Sequence, residues 1–133
     1  MENSVPQDLL TAELHELGGS AAILRLRGEV DISSAHKLSQ QFEFAASNGC
    51  SELVIDATGV TFMDSSGLHA LVEGKRLIHQ NGSKIALVPS DQVRRVMELV
   101  FPDPLFAARV DTIDEAMEIL GLDERTNRAD IDS

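Results

Sequence analysis

The sequence predicts an α/β fold, a mixed sheet covered by helices. Three observations lead there. The short apolar runs Leu53-Val54-Ile55 and Ile85-Ala86-Leu87-Val88 have the length of buried strands. They alternate with longer stretches whose apolar residues recur at helical spacing, and such alternation implies a largely parallel sheet. Ahead of them, two extended stretches flank Gly18-Gly19-Ser20, a hairpin signal that adds an antiparallel edge.

The hairpin comprises Leu9 to Leu17 and Ala21 to Arg27. In its second strand Ala22, Leu24 and Leu26 share one face, while Ile23, Arg25 and Arg27 share a half-solvated one. Gly28-Glu29-Val30-Asp31 is expected to break the strand. Ser33 or Ser34 then caps a helix running to about Ser47, with Leu38, Phe42, Ala45 and Ala46 toward the core. Asn48-Gly49 closes it. Leu53 to Ile55 reads as a central strand, followed by a loop from which Val60 and Phe62 dip into the core.

Asp64 is suited to cap a helix that begins near Ser65 and ends before Asn81-Gly82, lined by Leu68, Leu71, Val72 and Ile78. After the strand closed by Pro89, Ser90 or Asp91 caps a third helix with the stripe Val93, Val96, Met97 and Val100. Pro102 and Pro104 stop it, and a weak strand is expected at Ala108 to Val110. Thr112-Ile113-Asp114-Glu115 has the capping-box pattern. It opens a last helix that carries Ile113, Ala116, Met117 and Leu120 inward and ends at Gly121. Residues 1–121 form the expected domain, and 122–133 a polar, disordered tail.

Composition narrows the function. At 133 residues, 43% hydrophobic and 25% charged, the chain suits one soluble domain. Its net charge of −11 disfavours nucleic acid and anionic membrane surfaces as partners. The only cysteine is Cys50, as expected of a cytoplasmic protein without disulfides. The start, Met1-Glu2-Asn3-Ser4-Val5-Pro6, has neither the basic nor the apolar segment of a secretory leader. No apolar run approaches the roughly 20 residues of a membrane helix.

No cofactor or metal is expected. His15, His36, His69 and His79 are spread over different elements or faces, and none pairs with the cysteine at ligand spacing. The phosphate-binding loops G-x-x-x-x-G-K-S/T and G-x-G-x-x-G are missing, as is the hydrolase elbow G-x-S-x-G. A serine hydrolase using Ser65 or Ser66 is the enzyme alternative. His69 lies one turn after Ser65 but no third group is evident, so no enzymatic activity is expected.

The informative segment runs from Leu53 to Leu68 and ends Asp64-Ser65-Ser66-Gly67-Leu68. Ser65 and Ser66 occupy the first turn of the helix that Asp64 caps. Gly67 costs about 1 kcal/mol of helix propensity against alanine. It is tolerated either to admit another protein or to pack under the preceding strand.

This segment, together with Gly28-Glu29-Val30-Asp31 and Gly82-Ser83-Lys84-Ile85-Ala86-Leu87-Val88, resembles the STAS domain family, and within it the bacterial anti-sigma factor antagonists. The likeness covers roughly residues 8 to 121. It implies a mixed sheet of four to five strands with about four helices mainly on one face. It also implies a mechanism. The unphosphorylated protein binds an anti-sigma factor that is itself a serine/threonine kinase, and so releases a sigma factor. Phosphorylation of Ser65, with Ser66 as rival, then breaks the complex, and a phosphatase is expected to reset it. Glu29, Asp31, Asp64, Ser66, Gly67 and His69 are the implied partner-binding residues. His69 and Val30 depart from the family's commoner residues, a small residue or glycine and a leucine respectively. Because STAS domains also serve as scaffold subunits of stress-signalling complexes, that role is the alternative.

Overall fold

The computed structural model describes residues 9–100 and 110–122, with only the backbone of Val100. The expected tail after Leu122, the prolines at 102 and 104 and most of the weak strand before Val110 lie outside the described residues.

Strands β1 (Leu10–Gly18) and β2 (Ala21–Val30) form the expected antiparallel hairpin. Its turn uses Gly18 and Gly19 at φ of 108° and 59°, a region that side chains disfavour. Strands β3 (Glu52–Met63) and β4 (Lys84–Pro89) add in parallel, so the sheet runs β1-β2-β3-β4. Helices α1 (Ala35–Ser47), α2 (Ser65–Gln80) and α3 (Asp91–Val100) follow β2, β3 and β4 in turn, and α4 (Ile113–Ile119) comes last.

The sheet is buried on both faces at its centre. On one side Leu24, Leu26, Leu53 and Ile55 pack with Leu38 and Phe42 of α1, Leu68, Leu71 and Ile78 of α2, and Val93 and Met97 of α3. On the other, Ala21, Ile23, Val54, Ala86 and Val88 meet Ala116, Leu120 and Leu122. Three helices therefore share a face and α4 covers the reverse. Each large apolar side chain fully buried this way contributes about 1.5–3 kcal/mol before entropy is counted.

Three expectations change. First, β2 does not break at Gly28 but continues to Val30. Gly28 sits at φ 104°, and a Cβ there would collide with the Leu9 carbonyl. The glycine lets β1 and β2 stay paired where their backbones crowd together.

Second, residues expected in a loop belong to β3. Two register shifts against β2, between Arg25 and Arg27 and between Gly28 and Glu29, each insert an extra β3 residue. Asp56 braces the first by accepting from the Thr58 amide at 3.1 Å and hydroxyl at 2.6 Å. The insertions leave Val60 and Met63 buried but turn Phe62 outward, 42% exposed, against expectation.

Third, Leu122, assigned by sequence to the tail, is buried against α4, and its amide reaches the Met117 carbonyl at 2.7 Å. Val110, the one described residue of the expected weak strand, donates a backbone bond to the Leu87 carbonyl of β4 at 3.0 Å. Two further helix signals hold. The capping box of Thr112 and Glu115 is formed in both directions, and the Ser90 hydroxyl accepts from the Val93 amide.

Candidate functional site

The exit of β2 and the exit of β3 lie side by side, and each feeds a helix. The Asp64 amide donates to the Val30 carbonyl at 3.1 Å, tying the two crossings together. Asp64 then caps α2. Its backbone is extended, and its Oδ1 accepts from the Gly67 amide at 3.1 Å. This places Ser65 at the first helical position, exposed to solvent, with Ser66 half-buried behind it. His69, four residues on, is exposed on the same side of the helix.

Gly67 is buried, and its missing side chain faces inward. A Cβ there would lie 2.7 Å from Val30 Cγ1, 2.8 Å from the Val30 carbonyl oxygen and 3.0 Å from Met63 Cγ. Of the two readings of this glycine, packing beneath the strand is the one the geometry carries.

The start of α1 is built differently from expectation. Ser34 stands at the cap position, but its side chain makes no bond into the helix. Instead its hydroxyl, 2% exposed, accepts from the Asp31 amide at 3.0 Å and donates to the Glu29 carbonyl at 2.9 Å. Asp31 holds the turn that leads into α1. Its Oδ1 takes the Ser33 amide at 2.9 Å, the Ser33 hydroxyl at 2.7 Å and the Ser34 amide at 3.2 Å. Asp31 therefore shapes the loop that stands beside Asp64.

These bonds, the Ser33 hydroxyl foremost, hold the Asp31 carboxyl below its ordinary value of 3.8, although desolvation opposes them. A carboxylate depressed on folding adds stability that is complete above its unfolded pKa and is lost as pH falls through the lower folded value. Asp31→Asn should therefore be less stable than the parent at neutral pH. The gap should close in acid as pH drops below 3.8. Urea midpoints measured across that range check this, and a gap independent of pH would contradict it.

Around these polar groups lies an apolar rim that sequence reasoning missed. Ile32, between Asp31 and Ser33, is 81% exposed. Phe62 and Leu9 are also exposed. Glu29 is opposite Phe62 in the β2–β3 register and donates its amide to the Leu9 carbonyl at 3.0 Å, so the three lie in adjacent rows. An isoleucine stranded in a polar loop was the available signal for Ile32. Glu29, Asp31, Asp64, Ser65 and Ser66 are thus gathered at one end of the sheet. Among the described residues, no group of His, Cys, Asp and Glu is arranged to hold a metal, and no helix is long and apolar enough to cross a membrane.

Comparison with known proteins agrees with this architecture. A family model described as "Mlab, STAS domain" matches residues 15–101. An anti-sigma F factor antagonist from Paenibacillus polymyxa is 30% identical over 79 residues, covering 58% of this chain and 68% of that protein. The crystal structure of an anti-sigma factor antagonist from Mycobacterium paratuberculosis superposes with a TM-score of 0.75 at 23% identity, over 90% of this chain and 99% of that one. The antagonist SpoIIAA in its unphosphorylated form gives a TM-score of 0.69 at 22% identity, over 86% of this chain and 100% of that one. The chain belongs to the STAS domain family and, within it, groups with the anti-sigma factor antagonists.

Proposed function

We propose that this protein is a cytoplasmic partner switch without catalytic groups of its own. Unphosphorylated, it binds an anti-sigma factor serine/threonine kinase and so frees a sigma factor. The kinase then transfers the γ-phosphoryl group of ATP to Ser65. The Ser65 Oγ–P bond forms, the bond to ADP breaks, and the hydroxyl proton passes to a base of the kinase. The complex then separates, and a phosphatase restores the hydroxyl.

The observation that carries this reading is the exposed Ser65 hydroxyl at the opening turn of α2, beside Asp64 and an apolar rim. Ile32 and Phe62 offer surface that binding would remove from water. Glu29, Asp31 and Asp64 give that surface an acidic character, suited to a basic partner patch. The exposure of Ser65 against the half-buried Ser66 favours Ser65 as acceptor. Helix N-termini accept anions readily, so the added phosphate disturbs the partner more than the fold.

Affinity capture from the source cell, with and without phosphatase treatment of the bait, tests the proposal. An ATP-binding kinase recovered only with the dephosphorylated bait, and phosphate mapped to Ser65 after incubation with it, are the expected results. Recovery of no kinase in either state, or phosphate mapped to Ser66 alone, would overturn it.

A further inference from the structure

Among the described residues β1 is the outer strand of the sheet and pairs only with β2. The direction of its backbone groups can be read from two bonds. The Leu9 carbonyl accepts from the Glu29 amide and so faces β2. The next carbonyl, that of Leu10, accepts instead from Lys37 Nζ at 2.8 Å. Since these directions alternate along a strand, the amides and carbonyls of Ala12, Leu14 and Glu16 point away from β2. Among the described residues no strand lies against them. β1 has neither the lysine nor the proline with which exposed edges are commonly blunted.

An open groove of about 580 Å³ runs beside this edge, between β1 and α1. Ala12, Leu14 and Phe44 are its apolar part, bordered by Glu13, His15 and two glutamines of α1, and Phe44 is 57% exposed. On the opposite face of β1, Glu13 and His15 lie together, with Oε1 and Nε2 at 3.4 Å.

We propose that this edge is a homodimer seam, in which β1 of two copies pairs antiparallel about a twofold axis at Leu14. The sequence of the strand selects that register. Outward-facing residues must oppose one another, which leaves few choices of axis. An axis at Glu13 or Glu16 sets a carboxylate against itself. An axis at His15 sets Glu13 against Leu17 of the partner subunit. An axis at Ala12 requires the Leu10 carbonyl, which Lys37 already holds. With the axis at Leu14, Glu13 faces the partner's His15 and His15 faces the partner's Glu13. Both pairs fall at non-hydrogen-bonded positions, where side chains approach most closely. Leu14 meets the partner's Leu14 on the groove side, and the exposed ring of Phe44 is covered.

The net charge of −11 on each copy opposes association. That repulsion acts at long range and is screened by salt, whereas the backbone ladder and the leucine contact are not. Added salt should therefore strengthen the dimer. This seam is separate from the role proposed for Ser65, and Ser65→Ala should leave it intact.

Sedimentation velocity of the full chain, from micromolar to near-millimolar concentration and at two salt levels, is the first test. A monomer–dimer equilibrium that shifts toward dimer with salt is expected. His15→Glu should weaken it about tenfold, because two symmetry-related pairs turn repulsive. Adding Glu13→His to that variant exchanges the two groups and should restore the dimer. Thermal unfolding of each variant guards against a folding defect. Register is read by cysteine cross-linking: Glu13→Cys mixed with His15→Cys should cross-link, and Glu13→Cys alone should not. A chain that stays monomeric throughout overturns the proposal, even if a different protein then protects the β1 amides from exchange. So does a dimer whose cross-links follow another register.

Discussion

Ser65→Asp is expected to bind the partner kinase at least about a hundredfold more weakly than the parent while remaining folded. A hundredfold loss corresponds to about 2.7 kcal/mol. The fold tolerates the change because the side chain is exposed and stands at the positive end of α2. An acid there is neutral to stabilising, by about 0.3–1 kcal/mol when exposed. The proposed complex should not tolerate it, because docking there would strip water from the new carboxylate and hold it beside Asp64, against a partner fitted to a neutral hydroxyl. Phosphoserine, at about −1.5 to −2 charges, should act in the same direction and more strongly. Ser65→Ala separates charge from the loss of the hydroxyl. It should bind at nearly parental affinity and resist phosphorylation. Titration calorimetry with the purified kinase, alongside melting curves of both variants, measures all of this. Parental affinity in Ser65→Asp would show that charge at this position does not control the contact.

Much of the fold and of the opening turn of α2 could be read from the chain because its parts are local. Asp64 caps α2 through a bond spanning three residues, Thr112 and Glu115 close a capping box, and Gly18-Gly19 turns the hairpin. Each depends on chemistry contained within a short window. What could not be read depends on pairing across the sheet. The second half of β3 looked like a loop because its two inserted residues break the twofold alternation that marks a strand. The same shifts turned Phe62 from an expected core residue into part of the exposed rim. Asp31 was legible as important near the helix start, but its hold on the turn before α1 was not. Two serines stood closer to the helix, and only the backbone shows the Ser34 hydroxyl folded back onto the Glu29 carbonyl. The placement of α4 on the reverse face was equally hidden, since the stripe of Ile113, Ala116, Met117 and Leu120 fits either side of a sheet.

Gly67→Ala should destabilise the domain by about 1–3 kcal/mol, the range for overpacking a close-packed site, even though alanine is the better helix former by about 1 kcal/mol. Three atoms oppose the added methyl: Val30 Cγ1, the Val30 carbonyl oxygen and Met63 Cγ. Met63 can shift, and Val30 Cγ1 can rotate away at some cost to packing. The carbonyl cannot easily follow, since it holds the Asp64 amide that joins the end of β2 to the start of α2. Relief of the methyl clash must therefore move α2 or loosen that bond. Val30→Ala removes one of the obstructing atoms, so the double variant should be more stable than the sum of the two single losses. Urea unfolding of the four proteins gives that coupling. An unchanged or raised midpoint in Gly67→Ala would mean that the helix start leaves more room beside β2 than a Cβ 2.8 Å from the Val30 carbonyl oxygen allows. The same variant also separates packing from recognition. If the glycine serves the fold, kinase affinity per folded molecule should stay near the parental value unless α2 shifts. A specific loss of affinity with intact stability would instead assign Gly67 to the docking surface.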